Sequence, residues 1–382
     1  MLMPKHIVLL AGEESGDHHA AHLVKELLAY DPTLQFSGMG GKHMQEAGVD
    51  VIADLGRFGV IGITAVITHA FVIKKILTTV KKHLEQVKPD LVILVDCPGF
   101  NIPMAKFAKQ RLGLRIIYYI SPQIWAWKAN RIHTLKACVD HMAVIFPFEK
   151  EIYQKAGVPV SFVGHPLVDR VKPSKDIEQI KQALNLPRDK KLIAMLPGSR
   201  RNEIEKHLPV LVKTAEKLTA LHPDLHFVIP IAQTIKPNLI QDYFKNSPVN
   251  ISFIPGQAID VLACSDCVVV ASGTASLECA LMQKPMCIIY KGSFLSYLIA
   301  VKVIKVKYLG LCNLLQNKMI VPELLQYDCN DVELTRTLNE LIVDKSLQEK
   351  LTNRLTKLKH SLSSEQADRS MVNVIKMELD KV

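Results

Sequence analysis

Four short runs in the first half of the chain are apolar without alternation: His6–Ala11, Leu91–Val95, Arg115–Ile120 and His141–Phe146. A strand that is apolar on both faces must be covered on both, and helices do this when the strands run parallel. Each run leads into a helical pattern, the first through Gly12-Glu-Glu-Ser-Gly-Asp17 into a helix over Ala20–Tyr30. The pattern breaks near Gly164-His165-Pro166, where Val171–Asp176 carries Pro173 and charges. It restarts with Lys191–Leu196, His226–Pro230, Ile251–Ile254, Cys267–Ala271 and Met286–Tyr290, and residues 331–382 read as polar helix without a strand. The expected fold is α/β: two doubly wound Rossmann-like domains, 1–168 and 169–360, with a C-terminal helical tail at 361–382 packing back on the first. A length of 382 residues suits two domains and a substantial core.

Forty-seven Lys and Arg against thirty-seven Asp and Glu leave a net charge of +10. With 48% hydrophobic and 22% charged residues, the chain is neither disordered nor fibrous. Few aromatics and no recognisable module argue against a nucleic-acid partner. Its eight cysteines are scattered, mostly in apolar runs, and Lys5 and His6 lead straight into the first strand rather than into a signal peptide. Both features suit a reduced, cytoplasmic protein. The single C-x-x-C, Cys264 to Cys267, lacks a second pair at zinc spacing and reads as a helix-to-strand turn.

The longest uncharged stretch, Phe58–Ile73, has sixteen residues, fewer than the ~20 that span a bilayer. Beyond it, Lys74, Lys75, Lys81 and Lys82 alternate with Ile73, Ile76, Leu77 and Val80. Phe294–Leu311 repeats the mixture with Lys302, Lys305 and Lys307. Two readings stay open for each: a helix lying on an anionic membrane, or a core helix with a solvated lysine edge.

Ligands of such sheets bind beyond the carboxyl ends of the strands. The first domain places Glu13, Ser15 and Asp17 there, with Asp96, Asn101, Ser121, Gln123, Trp125 and Trp127. In the second domain the same positions hold Gly198-Ser199-Arg200, Gln233, Gln257 and Ser272-Gly273-Thr274 through Glu278. Pro-Gly-Ser-Arg opening a helix makes an anion cradle: glycine allows close approach, serine donates, arginine adds a forked cation, and the helix adds its dipole. Ser272-Gly273-Thr274 repeats it, and two such ends in one domain suit a nucleoside diphosphate. Glu278 would either accept from ribose hydroxyls or favour its own helix dipole. Neither loop is a Walker loop, and Gly38-Met-Gly40-Gly41 is a poor dinucleotide fingerprint. With no Asp-x-Asp in the chain, no metal or other cofactor is expected; the basic loop and helix dipoles would take its place.

These blocks, in order, resemble the lipid-A-disaccharide synthase family, glycosyltransferases of the GT-B type. The resemblance is carried by residues 11–17, 38–41 and 95–101, by Ile-Ser-Pro-Gln-Ile-Trp-Ala-Trp (120–127), and by 146–149 and 162–166. Leu-Pro-Gly-Ser-Arg-x-x-Glu-Ile (196–204), Ala-Ser-Gly-Thr-Ala-Ser-Leu-Glu (271–278) and Asn313 extend it. It implies that UDP-2,3-diacylglucosamine and 2,3-diacylglucosamine 1-phosphate (lipid X) are joined into the β-1,6-linked disaccharide, releasing UDP. It also implies an acceptor-binding first domain, a UDP-sugar-binding second one, and a cytoplasmic enzyme peripheral on the anionic inner membrane; a homodimer stays open. Asp96 takes the place of the family's catalytic base, with Glu13 and Ser15 beside it. Arg200 takes the diphosphate arginine's place, Glu278 the ribose-binding glutamate's and Asn313 that of an asparagine at the nucleotide. Ser199, Gln233, Ser272, Gly273, Thr274, Trp125 and Trp127 are the remaining substrate-binding candidates. Two departures stand out: Cys312 replaces the proline before that asparagine, and Ala65 replaces the glutamate of Gly-Ile-x-Glu-Val. A UDP-N-acetylglucosamine epimerase-like enzyme and a non-catalytic paralogue are the alternatives.

Overall fold

The computed structural model describes residues 4–56, 70–125, 129–292 and 307–381. Trp127, Ala65, Lys302, Lys305 and most of the two basic apolar segments lie outside the described residues. The chain divides into two compact units: one holds Met1–Pro166 with Leu362–Val382, the other Leu167–Ser361.

Unit 1 is built on seven parallel strands, β1 (His6–Ala11), β2 (Gln35–Met39), β3 (Asp50–Ala53), β4 (Leu91–Val95), β5 (Ile116–Tyr119), β6 (His141–Val144) and β7 (Val160–Phe162). Their order is β3-β2-β1-β4-β5-β6-β7. Every residue of β4 is fully buried, as are Ile7–Leu10 of β1, which explains their unbroken apolarity. The helix Ala70–Val87 lays Ile76, Val80 and Leu84 into this core, one turn apart on one face. The winding direction reverses between β1 and β4, where Ala11 pairs with Val95. That register sets the residues after β1 beside those after β4, at the topological switch point.

The C-terminal residues complete this unit rather than trail from it. Edge strand β7 gives the Phe162 N–H to Asp368 Oδ2 at 2.8 Å and takes the Asp368 N–H on its carbonyl at 2.9 Å. Pairing of this kind blunts an edge that would otherwise template aggregation. From the helix Met371–Leu379, Glu378 is fully buried and receives Arg115 Nε at 2.6 Å and Lys381 Nζ at 2.6 Å.

Unit 2 has six parallel strands, β8 (Lys191–Leu196), β9 (Leu225–Ile231), β10 (Ile251–Pro255), β11 (Cys267–Ala271), β12 (Met286–Tyr290) and β13 (Glu323–Leu325). They run β10-β9-β8-β11-β12-β13, so the switch point falls between β8 and β11. The two parallel sheets with their helices are the expected α/β fold. Pattern reading overlooked β2, β3, β7 and β13, which are short or partly polar. In β2, Ser37 is buried yet polar because its hydroxyl bridges His6 and His83, at 2.8 and 2.7 Å. The first helix starts at Glu14, not Ala20.

Removing Arg115 would leave a carboxylate with no access to water to be neutralised chiefly by Lys381. Arg115→Met is expected to cost about 3 kcal/mol in urea unfolding, with part recovered on adding Glu378→Gln. Equal midpoints for the wild type and Arg115→Met would show that Lys381 alone neutralises Glu378.

Candidate active site

The loops after β8 and β11 enclose a cavity of about 390 Å³. Gly198 sits at φ +121°, and a Cβ there would meet Glu203 Oε2 at 2.8 Å, so only glycine fits. Arg200 caps the helix Arg201–Leu221 with extended backbone, and its guanidinium donates to Glu203 Oε1 at 2.9 Å. The arginine side chain is 63% exposed, so this pair is weak and an anion can compete for the fork. On the other wall Gly273, at φ +152° with open space above it, caps the helix Thr274–Leu281. Ser199, Ser272 and Thr274 share the lining, although the Ser272 hydroxyl donates to the Leu309 carbonyl at 3.1 Å. Two helix N-termini and a forked cation converge on one space, an arrangement that suits a diphosphate.

Glu278 forms part of the same wall, on the second turn of its helix and not the first. Burial raises its pKa, which the charge of Arg170 partly offsets. Away from the first turn it contributes little to the helix dipole; a desolvated carboxylate there is suited to accepting from hydroxyls. Two lining residues escaped the sequence assignment. Glu203 is an acid in a first turn, a position that normally signals only dipole stabilisation. Gln257 was noted at a strand end without a role, yet it caps its helix at φ +52°, backbone strain of the kind that collects at functional sites.

Two candidates stand apart from this cavity. Gln233 is exposed and lies just beyond the lining residue Ala232. Asn313 is fully buried and its amide is saturated by the protein. Nδ2 donates to the Val321 carbonyl and to Glu323 Oε1, while Oδ1 accepts from the Ile320 and Val321 N–H groups. Glu323 in turn accepts from the Leu309 and Gly310 N–H groups, so the asparagine braces the loop that Ser272 touches.

In unit 1 the switch point presents Asp96. Asp96 and Cys97 adopt φ +48° and +43°, two successive left-handed residues, each costing on the order of 1–3 kcal/mol. The Asp96 carbonyl is held by Asn101 Nδ2 at 2.8 Å and Tyr118 OH at 2.6 Å. Its carboxyl is pushed up to about 6, first by burial and then by the charge of Glu13. A carboxyl so placed can take and return a proton near neutral pH. Glu13 caps the helix Glu14–Tyr30, and Ser15 is exposed on its first turn. Glu13 also lines a cavity of about 320 Å³ with Glu14, Asp17, Asp54 and His43.

Trp125 turns its indole N–H inward, donating to Glu149 Oε1 at 3.0 Å, so the ring is braced by the protein. Glu149 is 1% exposed, and burial pushes its carboxyl up to about 7. Trp127, the other aromatic candidate, is outside the described residues. A larger, more open depression of about 570 Å³ includes Asp266 and Lys284, at the amino ends of β11 and β12. That is the wrong end of the sheet for a ligand. Among the described residues, Glu14, His18 and His43 are the group whose ligand atoms lie close enough to hold a metal ion.

The solved S. aureus MnaA–UDP co-structure has the same fold, with a TM-score of 0.65 at 15% identity over 99% of this chain and 98% of that one. The glycotransferase of kitacinnamycin also gives 0.65, at 14% identity over 98% and 99%. In sequence, lipid-A-disaccharide synthase 1 of Legionella pneumophila (strain Lens) is 57% identical, over 98% of this chain and 97% of its own. Lipid-A-disaccharide synthase of Geobacter sulfurreducens is 38% identical over the same shares. The family model described as lipid-A-disaccharide synthetase matches residues 7–375. On the family match and these relatives, the chain belongs to the lipid-A-disaccharide synthase family.

Proposed function

We propose that the protein is an inverting glycosyltransferase that joins UDP-2,3-diacylglucosamine to 2,3-diacylglucosamine 1-phosphate. The products are the β-1,6-linked disaccharide 1-phosphate and UDP. The observation that carries this reading is the cavity of unit 2, where two helix N-termini, Arg200 and the desolvated Glu278 converge. In this reading residues 169–360 hold the UDP-sugar and residues 1–168 take the acceptor.

The acceptor's 6-hydroxyl attacks the anomeric carbon from the face opposite UDP, and Asp96 accepts its proton. The bond from the anomeric carbon to the UDP oxygen breaks, and its electron pair leaves on the diphosphate. Arg200 and the amides at the two helix starts stabilise that charge as it develops. Glu13 raises the proton affinity of Asp96, which keeps the base effective near neutral pH. Incubation with both lipid substrates, with mass detection of the disaccharide, tests the assignment directly.

No described helix is long and apolar enough to cross a membrane. The start of Ala70–Val87 supports docking on an anionic bilayer instead. Phe71 is 82% exposed beside the exposed Lys74 and Lys75, while Ile76, Val80 and Leu84 serve the core. The core-facing residues of this helix and its exposed basic, aromatic start are thus separate parts of it.

Asp96→Asn is expected to bind UDP normally and lose about 10²–10⁴-fold in turnover. Wild-type kcat/KM should fall as pH drops through about 6. Stability runs the other way. With its folded pKa above the ordinary value, Asp96 favours the folded state when protonated, and that stability is lost as pH rises through about 6. Asp96→Asn should thus unfold later than wild type at pH 8, by on the order of 2–3 kcal/mol. Wild-type turnover in that variant would remove the base assignment.

Arg200→Ala should weaken UDP binding by roughly 1.5–3 kcal/mol in calorimetric titration. Unchanged affinity would place the diphosphate elsewhere. For the membrane, Phe71→Ser with Lys74→Gln and Lys75→Gln should release the protein from anionic vesicles while sparing turnover of detergent-dispersed substrate. Each lysine contributes about 1 kcal/mol at the surface. Equal vesicle sedimentation of variant and wild type would refute docking through this helix.

A further inference from the structure

The acidic cavity of unit 1 carries a feature that the transfer reaction does not use. Glu14 and His18 are one turn apart on the helix Glu14–Tyr30 and share a face. His43 comes from the short helix Lys42–Glu46, which is pinned to the first helix by Asp17. That carboxylate accepts the Gly41, His43 and Met44 N–H groups at 2.7, 3.0 and 3.0 Å. The His43 backbone is thereby locked opposite the Glu14–His18 face. The His18 and His43 rings stack with centroids 3.6 Å apart and planes at 27°. One ligand atom from each of the three residues lies within 4.8 Å of the others.

The surroundings add a second, independent observation. Glu14 and His43 line the 320 Å³ cavity together with Glu13, Asp17 and Asp54. Four carboxylates thus face one space with Lys42 the lone lysine in its wall, in a chain whose net charge is +10. A concave wall of one sign concentrates counter-ions, here cations. Two imidazoles and a carboxylate form a borderline donor set, matched to zinc-class ions and poorly matched to Mg²⁺ or Ca²⁺, which prefer all-oxygen shells.

We propose that Glu14, His18 and His43 form a binding site for one zinc-class divalent cation at the mouth of the unit 1 cavity. Metal–nitrogen bonds of about 2.0–2.1 Å require the stacked rings to part, and both histidines are partly exposed, so they have room to do so. Three protein ligands leave a coordination position for water or for an oxygen of an anionic ligand in the cavity. Its three ligands all belong to unit 1, whereas the proposed diphosphate cradle belongs to unit 2. The buried thiols are poor competitors, because burial pushes those of Cys267, Cys279 and Cys287 up.

The test titrates the chelator-stripped full chain with Zn²⁺ by calorimetry and with Co²⁺ by visible absorption. One equivalent should bind, unaffected by millimolar Mg²⁺. His18→Ala and His43→Ala should each weaken binding ~10-fold or more. Glu14 is exposed, so Glu14→Gln should weaken binding while leaving the metal-free melting temperature unchanged. Absence of saturable one-equivalent binding overturns the proposal, as does wild-type affinity in folded His18→Ala and Glu14→Gln.

Discussion

A single buried amide ties the switch point of unit 1 together. Asn101 Nδ2 reaches the carbonyls of Leu10, Val95 and Asp96, at 3.2, 3.1 and 2.8 Å. These carbonyls come from the ends of β1 and β4, the two strands between which the winding reverses. Strand ends at a switch point have carbonyls that no neighbouring strand can satisfy, and leaving them buried would be costly. By satisfying them, Asn101 also stabilises the two left-handed residues that turn Asp96 out of the sheet. The placement of Asp96 thus follows from the hydrogen-bond accounting of the fold.

The same economy recurs in the electrostatics. Asp96, Glu149 and Glu278 are all raised, and burial is the leading cause each time. A desolvated carboxyl costs stability when ionised and gains reactivity towards protons or hydroxyls, so such groups concentrate where chemistry is done. The fully buried Glu378, by contrast, is paired inside the protein with Arg115 and Lys381.

Much of this was legible in the sequence. The central strands announce themselves because both faces are buried, and the strand-end loops carry their glycines, serines and acids in plain view. What escaped depends on partners distant in the chain. The bracing of Asn313 by Val321 and Glu323, and of the Trp125 N–H by Glu149, has no local signature in the sequence. Glu203 and Glu149 escaped for the opposite reason: an acid in a first turn has an ordinary local explanation, and only the tertiary structure shows what else it touches. The short strands β7 and β13 lack enough residues for any periodicity to register.

The pairing of Phe162 with Asp368, and of Arg115 with Glu378, makes unit 1 discontinuous in sequence while unit 2 is one unbroken stretch. A ribosome therefore delivers everything unit 2 needs before it delivers the last piece of unit 1. Until residues 362–382 emerge, β7 remains an open edge and Arg115 lacks its buried partner. The half of the molecule begun first is the half finished last, so unit 1 closes only after every residue of unit 2 has been made.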